Sequence, residues 1–365
     1  MTRVRSEQEA KSDKAKVRVN QDLVLRFYRE LATMLGSGVP LAQTIDSLAE
    51  FSEDLRMREV LYDIHHMISS GRTLSNALSF YPKTFSVVGV SMVKLGESTG
   101  RMVESLTKLS VWMQRDQEVR KKVQAALIYP AFSLGLTVLM TLGLFLFVIP
   151  GFLDMLVQMG ADIPPTTRFL VLVTDFLTSP VGWTVLLLSV AFVYYSFKAI
   201  LETQKGRVLL FTLLYEVPVL GPTLLAAALA RYAAAAETMF SCGVDIFAAT
   251  RVCALASGSP ILLHDVKNLR RSLQQGESLA SHMQRRPDIY PGSFGQFVLA
   301  GEEAARMEPM FRSIREFYDG EVSHRLKALT SMIEPMMMTV IALIVGFIVV
   351  SLLLPLHSFI SQIGT

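Results

Sequence analysis

The chain has 365 residues, 51% of them hydrophobic and 18% charged, with a mean hydropathy of +0.39. The charged share lies below the roughly 25% of a soluble domain, and the charges leave three windows almost bare, which marks a membrane protein. The net charge of +3 is small for this length, and bases alternate with acids rather than with aromatic residues, so there is no nucleic-acid-binding footprint.

Residues 1–20 are polar and lack an apolar core or a small-residue cleavage site, so they do not read as a signal peptide. They are expected to form a disordered arm. Residues 21–122 read as a bundle of about six helices joined by short loops. Asp22–Leu35 is amphipathic, with Leu23, Phe27, Leu31 and Met34 on one stripe. Gly36-Ser37-Gly38 breaks it, and Pro40 suits the first turn of the next helix. A third helix runs from Leu55 to Ile68 and stops at Gly71. Thr73 can cap a short helix through Leu78, and Tyr81-Pro82 marks a turn. Phe85–Leu95 is apolar, and a last helix begins near Thr99 and continues through Met102, Leu106 and Met113.

That last helix leads past Arg120, Lys121 and Lys122 into an uncharged window, 123–150, long enough to cross about 30 Å of hydrocarbon. Pro130 and Pro150 stand near its ends. Residues 151–175 form a short connecting segment, and 176–197 a second span. A second helical bundle is expected over 218–330, a third span over 335–356, and a tail over 357–365. Lys121, Lys122, Lys198, Lys205, Arg325 and Lys327 lie on one side of these spans, and Arg168 is the single base on the other. The positive-inside rule therefore places both bundles and the N-terminus in the cytoplasm, and the connecting segment and C-terminus outside. The expected fold is all-α: a polytopic membrane protein with two tandem cytoplasmic helical bundles and three transmembrane helices.

The two bundles are copies of one unit. At an offset of 205, Met34 meets Met239, Gly38-Val39 meets Gly243-Val244, Gly96-Glu97 meets Gly301-Glu302, Arg101-Met102 meets Arg306-Met307, and Pro130 meets Pro335. A constant offset over a hundred residues is the mark of a tandem duplication. Asp245 stands where Pro40 stood and suits an N-cap, and Ser259-Pro260 opens the third helix of the second copy.

The run KVQAALIYP at Lys122–Pro130, with Val148-Ile149-Pro150 beyond it, resembles the signature of the inner-membrane platform proteins of type II secretion and type IV pilus systems. KALTSMIEP at Lys327–Pro335 is similar to the second-repeat form of that signature. MLGSGVPL at Met34–Leu41 and LGESTGRM at Leu95–Met102 also resemble motifs of the family, and Ser133 departs from its aliphatic pattern. The resemblance spans about residues 23–358. It implies a scaffold in the bacterial inner membrane, not an enzyme, that couples a cytoplasmic hexameric ATPase to the assembly of pilin or pseudopilin subunits. Other inner-membrane assembly proteins, membrane lipid and further copies of the chain would be its remaining partners.

Five charged residues are candidates for partner contact or for structural bonding: Glu97, Arg101, Glu302, Arg306 and Glu334. If 97–101 and 302–306 are helical, each Glu faces its Arg one turn on. Alternatively, Glu97 binds amides at the start of the long helix. Glu334 sits at the mouth of the third span, within reach of a pairing with Arg325 or Lys327. No metal or cofactor site is expected: His65 and His66 face different sides of a helix, the cluster Met332, Met336, Met337 and Met338 suits adaptable packing, and Cys242 and Cys253 form no paired motif. No P-loop is present. A small-solute transporter and a membrane-anchored adaptor are the alternative readings. The first lacks charged or broken helices at mid-membrane, and the second does not explain the duplication.

Overall fold

Capping side chains mark half of the helix starts. The structure, a computed structural model, describes residues 14–158, 165–217 and 220–363. The first module contains α1 (Gln21–Gly36), α2 (Leu41–Glu50), α3 (Leu55–Ser69), α4 (Leu74–Ser79), α5 (Val87–Thr99) and the start of α6 (Met102–Gly143). The side chains of Asn20, Asp54, Thr73 and Ser86 each accept a backbone N–H in the first turn of the helix that follows, satisfying one of its orphan donors. Pro40, expected inside the first turn of α2, is the residue before it and makes no side-chain cap. The chain leaves α5 through Gly100 at φ +70°.

α6 continues through a π turn, Leu144–Val148, into α7 (Ile149–Gln158). Pro150 has no N–H and would crowd a regular turn, and the wider π turn directly precedes it. α8 (Pro165–Thr178), α9 (Pro180–Glu202) and α10 (Gln204–Glu216) follow. The second module repeats the first as α11 (Leu220–Ser241), α12 (Ile246–Ser257), α13 (Pro260–Gln274), α14 (Leu279–Gln284), α15 (Gly292–Glu303) and the start of α16 (Met307–Ile363). Asp245 caps α12 and Ser259 caps α13. Among the described residues there is no β-strand.

The chain divides into two compact units. The first holds both modules: the chain up to Lys121 and Leu214–Ser323. In the first module Phe27, Tyr28 and Phe85 form an aromatic cluster with ring centroids 5.2 to 6.1 Å apart. In the second, Tyr232, Tyr290, Phe311 and Tyr318 pack around Phe294. Burial of each such ring contributes about 1.5–3 kcal/mol. Residues 14–20, expected as part of a disordered arm, are tied down. Lys14 pairs with Asp63 at 2.6 Å, Thr84 donates to the Val17 carbonyl at 2.9 Å, and Val19 is buried. The apolar side chain and the ion pair give this short polar segment an anchor that its composition did not suggest. Residues 1–13 lie outside the described residues.

The second unit holds Lys122–Leu213 and the chain from His324 onward. Its long apolar helical stretches are Ala131–Phe152, Pro180–Ile200 and the later part of α16, which is where the three spans were expected. Two boundaries differ. The segment expected to be a short link over 151–175 contains α7 and α8, and the second long helix begins at Pro180, capped by Ser179, rather than at 176. α16 runs on to Ile363 through the expected tail. α8 is held by a small core of Ile149, Leu170 and Ile348. It also answers a proline. Pro355 removes the N–H that would serve the Ser351 carbonyl, and the Thr167 hydroxyl donates to that carbonyl instead, at 2.6 Å. In hydrocarbon an orphan carbonyl has no water to turn to.

Ala305 holds φ +53° at the position of Gly100, a conformation that costs a non-glycine residue roughly 1–2 kcal/mol. Ala305→Gly should raise the stability of the purified chain by a few tenths to about 1 kcal/mol in thermal unfolding, and Gly100→Ala should lower it. Thr167→Val should destabilise the second unit by about 1 kcal/mol, read as a lower melting temperature of the purified chain. A melting temperature unchanged by Thr167→Val would show that this bond is dispensable.

Candidate functional site

The repeated Gly-Glu pair lies where α5 meets α6 and where α15 meets α16. A Cβ on Gly96 would stand 3.0 Å from the Met102 Cα and 3.2 Å from the Ser105 Cβ. A Cβ on Gly301 would stand 3.0 Å from the Met310 side chain. Glycine at these positions lets the long helix cross its predecessor at close range.

The glutamate that follows caps the short helix. Glu302 accepts the Leu279 amide at 2.7 Å and the Ala280 amide at 2.9 Å, both in the first turn of α14. Glu97 accepts the Ser75 amide at 3.1 Å and the Ser75 hydroxyl, in the first turn of α4. Thr73 and Ser278 cap the same two turns from within. Negative charge at a helix start is favoured by the orphan N–H groups and the helix dipole. Glu97 therefore binds amides, but those of α4 and not those of the long helix.

The expected Glu–Arg pairs do not form. α5 ends at Thr99 and α15 at Glu303, and the chain then turns through Gly100 or Ala305. Arg101 and Arg306 are no longer one helical turn from their glutamates. Arg101 is exposed, 4.0 Å from Glu104, and Arg306 is exposed as well. Glu334 is exposed on α16, about 10 Å along the axis from Lys327 and about 13 Å from Arg325. Pro130 and Pro335 lie at equivalent points inside α6 and α16, and Pro150 in the first turn of α7. Among the described residues no group of three or more His, Cys, Asp or Glu side chains could hold a metal ion.

One charge cluster escaped the sequence. Glu237 on α11 has a side chain only 10% exposed. The Arg315 Nε donates to it at 2.7 Å and the Arg312 Nε at 3.0 Å, and the Arg115 guanidinium of α6 stands 3.7 Å away. Burial works against the Arg315 charge, but the hydrogen bond and charge of Glu237 outweigh it and hold the guanidinium pKa above its ordinary value. Members of this cluster stand up to 200 positions apart in the chain, so no local spacing announces it. Asp265, also buried, accepts from Arg286 at 3.1 Å and stands 3.0 Å from the His282 Nε2.

Two substitutions separate bonding from partner contact. Glu302→Ala leaves two amides without their acceptor and should cost about 1–3 kcal/mol, with faster hydrogen exchange at Leu279 and Ala280. Gly301→Ala should crowd Met310 and cost a similar amount. A melting point unchanged by Glu302→Ala would assign that carboxylate to a partner instead.

The family described as type II secretion system (T2SS), protein F matches the chain twice, over residues 27–150 and 237–355. The type IV pilus assembly protein PilC of Thermus thermophilus is 31% identical over 348 residues, covering 94% of this chain and 84% of that protein. PilC of Pseudomonas aeruginosa is 27% identical, covering 93% of this chain and 90% of its own length. The type II secretion system protein F of Vibrio cholerae is 27% identical, over 92% of this chain and 82% of its own. With two matches that fall on the two copies of the repeat, the chain belongs to the type II secretion system protein F family.

Proposed function

We propose that this chain is the inner-membrane platform of a type IV pilus or type II secretion machine. In this role it couples a cytoplasmic assembly ATPase to the addition of pilin or pseudopilin subunits. The relatives named for pilus assembly and for type II secretion support the class of machine. The observation that carries the coupling is helical continuity. In each copy one helix starts beside the Gly-Glu pair of a module and runs without interruption into a long apolar stretch, α6 in the first copy and α16 in the second. A continuous helix transmits displacement where a loop would absorb it.

The basic residues flanking the spans support cytoplasmic modules and a C-terminus outside. Few residues of the apolar stretches are buried: none in the most apolar 18-residue window of Pro180–Ile200, and 6% of that window in each of the other two. That leaves their faces for lipid, for pilin-like segments, for other inner-membrane assembly proteins and for further copies of the chain. No step of this role needs catalysis by the chain itself; the energy comes from the ATPase.

A flexible Gly-Ser linker inserted beside Gln117 should abolish pilus or pseudopilus assembly while leaving the protein inserted in the membrane at its normal level. Normal assembly with the linker in place would sink the coupling role. Co-purification of the partner ATPase with the unaltered chain checks the partner directly.

A further inference from the structure

The cluster around Glu237 has no counterpart in the first copy. At the offset of 205, Glu237 corresponds to Ala32, Arg312 to Thr107 and Arg315 to Ser110. Arg115 corresponds to Gly320. The first module forms the same succession of helices with these small neutral residues, so closing a module does not require the charges. A buried carboxylate is costly unless it is fully paired. Its presence in one copy alone points to a task that only that copy performs.

The task is visible in what α11 faces. Lys108 of α6 donates to the Ser241 carbonyl at the end of α11, at 2.7 Å. Arg115, about two turns further along α6, reaches Glu237. The same carboxylate takes Arg312 and Arg315 from the start of α16. We infer that Glu237 is a lock joining the two modules: one carboxylate holds the long helix of each copy, so that within the first unit α6 and α16 are fixed to one another. The consequence for the machine rests on the platform role proposed above. A platform with this lock drives its first and third spans in unison, not in alternation.

The junction carries its own reporter. Cys242 follows Ser241 and, with Thr99, Glu104 and Ser105, lines a cleft of about 500 Å³ between the modules. It is half-buried, whereas Cys253 is buried within α12. The test is the rate at which N-ethylmaleimide modifies Cys242 in the full chain, held in lipid nanodiscs at fixed pH. Arg115→Glu removes the arm from α6 to Glu237, leaves Glu237 with Arg312 and Arg315, and keeps the Lys108–Ser241 bond. It should raise the Cys242 rate on the order of fivefold, within the range of couplings between neighbouring charges. A triple variant, Glu237→Ala with Arg312→Thr and Arg315→Ser, gives the second module the residues that the first one uses, and it should act in the same direction. Cys253 should stay unmodified in both, which separates an opened junction from a lost module. Glu277→Gln, in an exposed pair with Arg285, should leave the rate unchanged. A parental Cys242 rate in both junction variants overturns the lock, whatever happens to assembly in cells. A faster rate with normal assembly keeps the lock and rejects motion in unison.

Discussion

Two helices can cross at close range only where no side chain stands between their backbones, and much of this fold follows from meeting that condition twice. At Gly96 and Gly301 the missing Cβ lets α5 and α15 receive the first turn of the long helix that follows. The next residue, Glu97 or Glu302, is carried to the start of the short helix and satisfies its amides. The two neighbours thus fix three elements: the short helix, the helix that bears the pair, and the direction in which the long helix departs. That departure sets the course of everything the chain sends toward the membrane.

Duplication lets one position be compared in two chemistries. Residue 81 or 286 donates to an aspartate on the third helix in both copies. Tyr81 reaches Asp63, and Arg286 reaches Asp265, which stands one turn earlier in register. Positions 72 and 80 form a cation–π contact between Arg72 and Phe80, and positions 277 and 285 form an ion pair between Glu277 and Arg285. The contacts persist while the residues change, so the geometry is under tighter constraint than the side chains. Where the second copy has added charge at a neutral position, as at Glu237, the charge pairs with Arg312 and Arg315 of its own module and also reaches Arg115 of the other.

The parts legible in the sequence were those carried by neighbours in the chain. The repeat, the three apolar stretches, and caps such as Thr73 and Asp245 each depend on a few consecutive residues. A Glu–Arg pair one turn apart requires an unbroken helix, and the backbone turns left-handed at Gly100 and Ala305; amide binding by Glu97 was legible, but not that the amides belong to α4. The anchors of α8, Leu170 and Thr167, gain meaning only beside Ile348 and Ser351. The Glu237 cluster was invisible for the same reason: its members meet only after both modules have folded.

The prolines inside the long helices have a mechanical consequence. Pro130 and Pro335 each remove one backbone hydrogen bond at the same point of their helix, which softens that point against bending. A slender rod with a compliant joint yields more readily to sideways load than to tension along its axis. Each long helix then acts as a strut that filters force by direction. Under the coupling proposed above, axial strokes would pass along it, while sideways displacement of a module would be taken up at the proline.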